Sequence, residues 1–293
     1  MSASIAPGRL FVVATPIGNL EDITLRALAT LRAVTLVAAE DTRTTRKLLA
    51  RHGIHTPLVS CYKDREAEQA DRLVRRLLAG ADIALVSEAG TPGLADPGAL
   101  VVERARQAGI PVVPIPGPSA LACALSAAGP GFVPFLFVGF LPAKVGERQG
   151  LLRDLAQEPF ALACYETPQR ILATLSDCLA ILGDRPVLLA REMTKLHEEM
   201  LVGRLAEVLA QLAGQERVRG ELVLLIGAQP RPDRPSAGAE VPAILRWYRD
   251  RGGLSLKDAA RQVAKDLGLA RGDVYRLALD IWREPGAGGD GDG

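Results

Sequence analysis

Short apolar runs alternate with stretches of helical periodicity along most of the chain. Leu10–Ala14, Val34–Ala39, Val59–Cys61, Ile83–Val86 and Ile110–Ile115 read as strands. Leu25, Leu28 and Leu31 form an apolar stripe at helical spacing between the first two of these. Leu73, Val74, Leu77 and Leu78 do the same within the charged segment 64–79, and 99–108 reads as a further helix. Strands and helices at such close spacing predict a mostly parallel sheet, and strands apolar throughout predict cover on both faces. After Pro116-Gly-Pro118 the alternation continues less regularly. Strands are predicted at Phe135–Phe140, Ala161–Tyr165, Val187–Ala190, Met200–Gly203 and Glu221–Ile226, with helices at 119–128, 146–156, 171–182 and 205–212. This second half reads as α/β with a mixed sheet.

The fold class expected is therefore α/β, with an N-terminal α/β domain at 1–117 and a second α/β domain at 118–229. Residues 230–240, rich in proline, have the composition of a linker. Residues 241–284 read as a small C-terminal helical module, and two of its helices around Gly268–Gly272 resemble a helix-turn-helix. The tail 285–293 is expected to be disordered. From Arg246 to Glu284 there are nine Lys/Arg against six Asp/Glu, a mild lean toward nucleic acid. A dimerisation or docking module fits the same helices.

Net charge over the 293 residues is +1, so a polyanionic partner must be met by a local patch rather than a global field. Cys61, Cys123, Cys164 and Cys178 form no close-spaced motif, and the three histidines are scattered, so no metal site is expected. Unpaired-looking cysteines without a signal peptide suggest a reducing cytoplasm. The stretch from Gln107 to Ala143 carries no charge, yet seven prolines interrupt it, which excludes a membrane-spanning helix.

The chemistry gathers in loops that follow strands. Ser87-Glu-Ala-Gly-Thr-Pro-Gly-Leu-Ala-Asp-Pro-Gly98 follows Ile83–Val86, and its glycines offer bare backbone to a ligand at the carboxyl end of a strand. Taken alone, it is equally a tight turn into a helix. Thr15-Pro-Ile-Gly-Asn-Leu20 follows the first strand, but without the G-x-G-x-x-G spacing of a dinucleotide site. Glu40-Asp-Thr-Arg43 follows the second and leads into a helix whose Arg43, Arg46, Lys47 and Arg51 share a basic face. That face is solvated surface or, beside a pocket, a phosphate contact.

Six motifs in this order carry a family resemblance: Thr15–Leu20, Ala39-Glu-Asp-Thr-Arg43, Ser87-Glu-Ala-Gly-Thr-Pro92, Pro116-Gly-Pro-Ser-Ala120, Tyr165-Glu-Thr-Pro-Gln-Arg170 and Arg191-Glu-Met-Thr-Lys195. Over residues 9–228 the chain resembles the tetrapyrrole-methylase-like (class III) S-adenosylmethionine methyltransferases. Within them it is most similar to the branch that methylates the ribose 2′-hydroxyl of a cytidine in 16S rRNA. The resemblance implies two α/β domains with a cofactor cleft between them, a homodimer, and the small ribosomal subunit as partner. Carried over by position, the cofactor contacts are Ile17, Ala89, Gly90, Thr91, Leu94, Ser119, Ala120, Tyr165, Glu166, Met193 and Thr194. Glu88 belongs to the same loop but stands where the family has Asp.

Methyl transfer from a sulfonium is an in-line displacement that needs no metal, and holding the acceptor on axis supplies most of the acceleration. Asp41, Glu88 and Glu166 are the candidate bases for the hydroxyl proton; Arg43 and Lys195 are candidates to steady an oxyanion or phosphate. Asp41 with Arg43 is expected to shape the acceptor side. Tyr62 and Tyr165 are either base-stacking or core-edge tyrosines. Two other readings are a tetrapyrrole-precursor C-methyltransferase and a non-catalytic RNA-binding assembly factor.

Overall fold

A computed structural model describes residues 6–61, 66–96, 98–228, 237–251 and 254–283, with two compact units at Met1–Gln229 and Pro230–Gly293. The first unit contains both predicted sheets. Tyr62, most of the expected linker and the tail 285–293 lie outside the described residues.

The first sheet is built from β1 (Leu10–Val13), β2 (Leu36–Ala39), β3 (Leu58–Ser60), β4 (Ile83–Val86) and β5 (Val112–Ile115), all parallel, in the order β3-β2-β4-β1-β5. Alternate residues along each strand serve two cores. Val13, Val37, Ala39 and Val86 meet α1 (Leu25–Ala33) and α2 (Thr42–Arg51). Leu10, Leu36, Ile83 and Leu85 meet α3 (Glu66–Leu78) and α4 (Ala99–Gln107). Cover on both faces is the reason the central strands β2 and β4 are apolar at every position. Each fully buried leucine here contributes roughly 2 kcal/mol of transfer free energy.

Because β1 and β4 are parallel neighbours, the loops that follow them leave side by side. A bridge locks them: the Thr15 N–H donates to Gly90 O at 2.9 Å and the Gly90 N–H to Thr15 O at 3.0 Å. Gly90 holds φ +80°, a conformation that glycine adopts without strain. Glu66 of α3 accepts from the Gly98 N–H at 2.8 Å and so caps α4, which fixes the far end of the β4–α4 loop.

The chain then passes through α5 (Ala120–Ala128), capped by Ser119, into the second sheet. Its strands are β6 (Phe135–Phe140), β7 (Ala161–Glu166), β8 (Pro186–Arg191), β9 (Glu199–Arg204) and β10 (Leu222–Ile226), in the order β6-β7-β10-β8-β9. Only β6 and β7 run parallel; β10 runs against both β7 and β8. One face carries Leu162, Leu189 and Leu224 against α6 (Val145–Leu155), α7 (Ile171–Leu182) and α8 (Leu205–Ala213). The opposite face is lined by Ala161, Ala163 and Ala190 and is shallower. Ile17, from the first half, packs into that shallow face with Met193 and Ala124.

The described residues of the second unit form three helices: α9 (Ala237–Arg251), α10 (Leu256–Leu267) and α11 (Arg271–Arg283). The first begins inside the stretch expected to be linker. Val241, Leu245, Ala260, Val263, Val274 and Ile281 form its core. Ser255 caps α10 at one end, and Gly268 at φ +63° closes the other. All four cysteines are free thiols, and Cys61, Cys164 and Cys178 are buried. Among the described residues no helix is long and apolar enough to cross a membrane.

Candidate active site

A cavity of about 230 Å³ lies where loops of the first sheet meet the shallow face and edge of the second. The first half contributes Ile17 after β1 and Ala89, Gly90, Thr91, Leu94 and Asp96 after β4. The second contributes Ala120 at the start of α5, Phe140 at the end of β6, Tyr165 and Glu166 at the end of β7 with Thr167 and Pro168 just beyond it, and Met193 after β8. Gly220 to Val223 complete the wall. That last segment enters β10, and the antiparallel register sets Leu222 beside Glu166 and Arg191.

Close approach of backbone holds the halves together at Gly18. A Cβ there would stand 2.5 Å from Lys195 Cγ and 2.7 Å from Thr194 Oγ1. The Asn19 N–H donates to the same Thr194 hydroxyl at 3.1 Å. On the opposite side of that contact, Glu192 and Thr194 adopt positive φ, 49° and 65°, which is costly for residues with a Cβ. The cost is offset by a tight local network. The Glu192 carboxylate accepts from Lys195 Nζ and from the Glu221 N–H, both at 2.9 Å, and Lys195 also pairs with Glu221 at 3.2 Å. Thr91 ties the β4–α4 loop to the Pro116–Pro118 segment by donating to Pro118 O at 3.0 Å.

Of the expected site residues, Ile17, Ala89, Gly90, Thr91, Leu94, Ala120, Tyr165, Glu166 and Met193 line the cavity. Ser119 and Thr194 are one residue removed from it, occupied as a helix cap and as the Asn19 partner. Glu88 is exposed and lines a separate small hollow with Thr44, Thr45 and Leu48. Its N–H donates to Glu40 Oε2 at 3.1 Å, which turns residue 88 away from the cavity wall. Asp41 and Arg43 also lie off the cavity. Asp41 caps α2, accepting from the Arg43 N–H at 2.7 Å, and pairs with the Arg43 guanidinium at 3.2 Å. These contacts hold the Asp41 carboxyl below its usual range. Lys195 meets the wall only through its partner Glu221.

Glu166 was a candidate base on sequence, and its environment removes it from that role. One carboxylate oxygen accepts from Thr174 Oγ1 and from Arg170 at 3.1 Å, the other from the Thr167 N–H at 2.8 Å. Its side chain is fully buried. It is the keystone of the β7–α7 turn, with its acceptor positions engaged. Tyr165 is half-buried, edge-on to Phe137 and Phe140 with centroids 5.1 and 5.6 Å away. It forms wall as part of an aromatic cluster.

Sequence reasoning missed Phe140, Thr167, Pro168 and the 220–223 segment as site residues. Phe140 ends a strand that had been read correctly. The segment 220–223 begins a strand, and nothing local marks it as site. Asp96, within the glycine-containing loop after β4, carries no mark in the sequence that sets it apart. It lines the cavity, and burial together with the charges of Glu40 and Glu88 pushes its carboxyl up to about 6.

Among the described residues, the charged side chains in the lining, Asp96, Glu166 and Glu221, are all carboxylates. Apolar walls with the half-buried Asp96 and the exposed Glu221 among them fit a ligand that is part apolar and part cationic. Among the described residues no group of three or more His, Cys, Asp or Glu is arranged to hold a metal ion.

Comparison with known proteins follows the same geometry. The Ribosomal RNA small subunit methyltransferase I of Pseudomonas aeruginosa is 44% identical over 278 residues, 94% of this chain and 98% of that protein. The protein of the same name from Synechocystis sp. is 44% identical over 276 residues, with the same coverage. Among solved structures, uroporphyrin III C-methyl transferase from Thermus thermophilus matches with a TM-score of 0.56 at 23% identity, over 75% of this chain and 97% of that one. The same enzyme complexed with S-adenosyl homocysteine matches with a TM-score of 0.54. At that identity the likeness is one of fold. Residues 9–209 match the family described as Tetrapyrrole (Corrin/Porphyrin) Methylases. With two sheets, a cavity walled by both, and this match over most of its length, the chain belongs to the tetrapyrrole (corrin/porphyrin) methylase family.

Proposed function

We propose that the acceptor of this S-adenosylmethionine-dependent rRNA methyltransferase is the ribose 2′-hydroxyl of a cytidine in 16S rRNA of the small ribosomal subunit. The observation that carries the reading is the cavity itself. It is walled by both sheets, apolar over much of its surface, and among the described residues its charged lining positions are all carboxylates. Such a wall suits a donor with a positive sulfonium. The rRNA acceptor is supported by relatives at 44% identity that bear the name of small-subunit rRNA methyltransferases.

The bound donor supplies an electrophilic methyl group, and the chain supplies position. Ile17, the backbone of Ala89 to Thr91, Leu94, Ala120 and Met193 would hold the donor in one pose. Rigid backbone on this scale fixes the line of attack, which is the main source of rate in such a displacement. The exposed α2 face, with Arg43, Arg46, Lys47 and Arg51, offers contacts for RNA phosphates next to the hollow that Glu88 lines. Asp41 and Arg43 shape that acceptor side. Helices α9–α11, with their excess of Lys and Arg, add an RNA grip, and a homodimer working on ribosomal subunits in the cytoplasm completes the proposal.

The direct test is mass spectrometry of 16S rRNA fragments from cells with and without the gene. One cytidine fragment should lose the mass of a ribose methyl group when the gene is absent. Labelled donor offered to purified protein should appear in small subunits and not in a porphyrinoid acceptor. In the same assay Asp41→Ala should cut turnover at least about tenfold while S-adenosylhomocysteine affinity stays within about twofold. Loss of affinity instead would move Asp41 to the donor side.

A further inference from the structure

Three carboxylates line the cavity, and two of them are committed. Glu166 is fully buried with both oxygens engaged by Thr174, Arg170 and the Thr167 N–H. Glu221 is 71% exposed and paired with Lys195. Asp96 differs from both. It is half-buried, sits on the loop pinned by the Thr15–Gly90 bridge at one end and by the Glu66 cap at the other, and lines the wall shared with Tyr165. Its charge reaches that tyrosine, where, after burial, it helps raise the phenol.

The groups that act on Asp96 are also informative. Glu40, at the end of β2, and Glu88, after β4, are both carboxylates, and Glu88 is held to Glu40 by its own N–H. Only the Ser87 hydroxyl works the other way. The arrangement keeps a carboxylate half out of water beside like charges, where it binds a proton more readily than an ordinary aspartate. Asp41 has the opposite setting, stabilised as an anion by Arg43, and is a weak proton acceptor.

Resting on the methyltransferase reading above, we propose that Asp96 is the general base of the reaction: its carboxylate receives the proton of the ribose 2′-hydroxyl as that oxygen attacks the methyl carbon. The O–H bond breaks and the proton passes to an Asp96 oxygen. A lone pair of the ribose oxygen forms the new O–C bond. The C–S bond breaks, its electron pair remains on sulfur, and a neutral thioether leaves. Asp96 then returns the proton to water. A base whose proton affinity lies near the working pH is the efficient choice for such a step.

The test uses the full-length protein, small subunits from cells lacking the gene, labelled donor, and S-adenosylhomocysteine titrations by calorimetry. Wild-type single-turnover rates should fall with a one-proton slope below about pH 6. Above about pH 6, where the wild-type carboxylate is ionised, Asp96→Asn should lose at least about 100-fold in rate, with S-adenosylhomocysteine affinity within about twofold of wild type. Glu40→Gln removes one of the like charges and keeps an acceptor for the Glu88 N–H, so the acid limb should move down by about half a pH unit. The assignment is overturned if Asp96→Asn keeps more than a tenth of the wild-type rate, if it loses product affinity in step with rate, or if the acid limb ignores Glu40→Gln. Absence of label in 16S rRNA with the wild-type protein would instead remove the functional reading and this role with it. Label with the wild type and an unaffected Asp96→Asn removes the role alone.

Discussion

In the first sheet every strand runs the same way, so the loops after β1, β2 and β4 all leave at one edge. In the second, β10 runs against β7 and β8, so the segment entering β10 stands where its neighbours' chains leave. Both halves present the carboxyl ends of strands to one cavity, and the second adds to them the segment that enters β10. What places a residue in the site is the sheet edge it reaches. The two halves also differ in how their loops are held. The first relies on backbone pairing and caps, the second on buried or clustered charge at Glu166 and at Glu192–Lys195–Glu221.

The contrast predicts that charge removal injures the second half most. Glu166→Ala should cost about 3 kcal/mol, because Arg170 and Thr174 lose a buried partner. Denaturant unfolding measures this, and a loss below about 1 kcal/mol would mean the turn stands without its keystone. Next in size is Gly18→Val, which drives a side chain into Thr194 and the Met193 carbonyl. A cost of about 2 kcal/mol and a weaker grip on S-adenosylhomocysteine should appear together. Stability lost with affinity retained would show that the halves need not meet there for donor binding.

Asp96 offers a test by pH in the first half. Its folded carboxyl is raised to about 6, so below that the fold holds a proton that the unfolded chain has released. Wild-type stability relative to Asp96→Asn should therefore be greatest at about pH 4 and decline as pH rises through 6. With the group half-exposed, the change is on the order of 1 kcal/mol. Melting curves of the two proteins between pH 4 and about 8 supply the comparison. The smallest effect is expected from Lys195→Met, below about 1 kcal/mol, since that lysine is 28% exposed and its pairs are screened.

The strands were legible because burial on both faces writes itself as unbroken apolar runs, as in Ile83–Val86 and Val187–Ala190. The start of α5, expected at 119, was legible where the Ser119 side chain caps it. The backbone half of the cavity followed from the glycine-containing loops. Side-chain roles did not follow. Glu166 and Asp96 look alike in sequence, each an acid near the end of a strand or in the loop beyond it. Their fates were set by Thr174, one turn into the next helix, and by Glu40, on another strand. Glu88 was misplaced for the same reason, its N–H drawn to Glu40. The 220–223 segment depends on strand direction, which apolar periodicity does not encode.

The Asn19 amide is a gauge built into the molecule. Its N–H reaches from the loop after β1 to the Thr194 hydroxyl after β8, and no rigid strand carries it on either side. Deuterium uptake at that single nitrogen would count the moments when the jaws part, and a slower uptake with donor or product aboard would time how long the molecule stays shut.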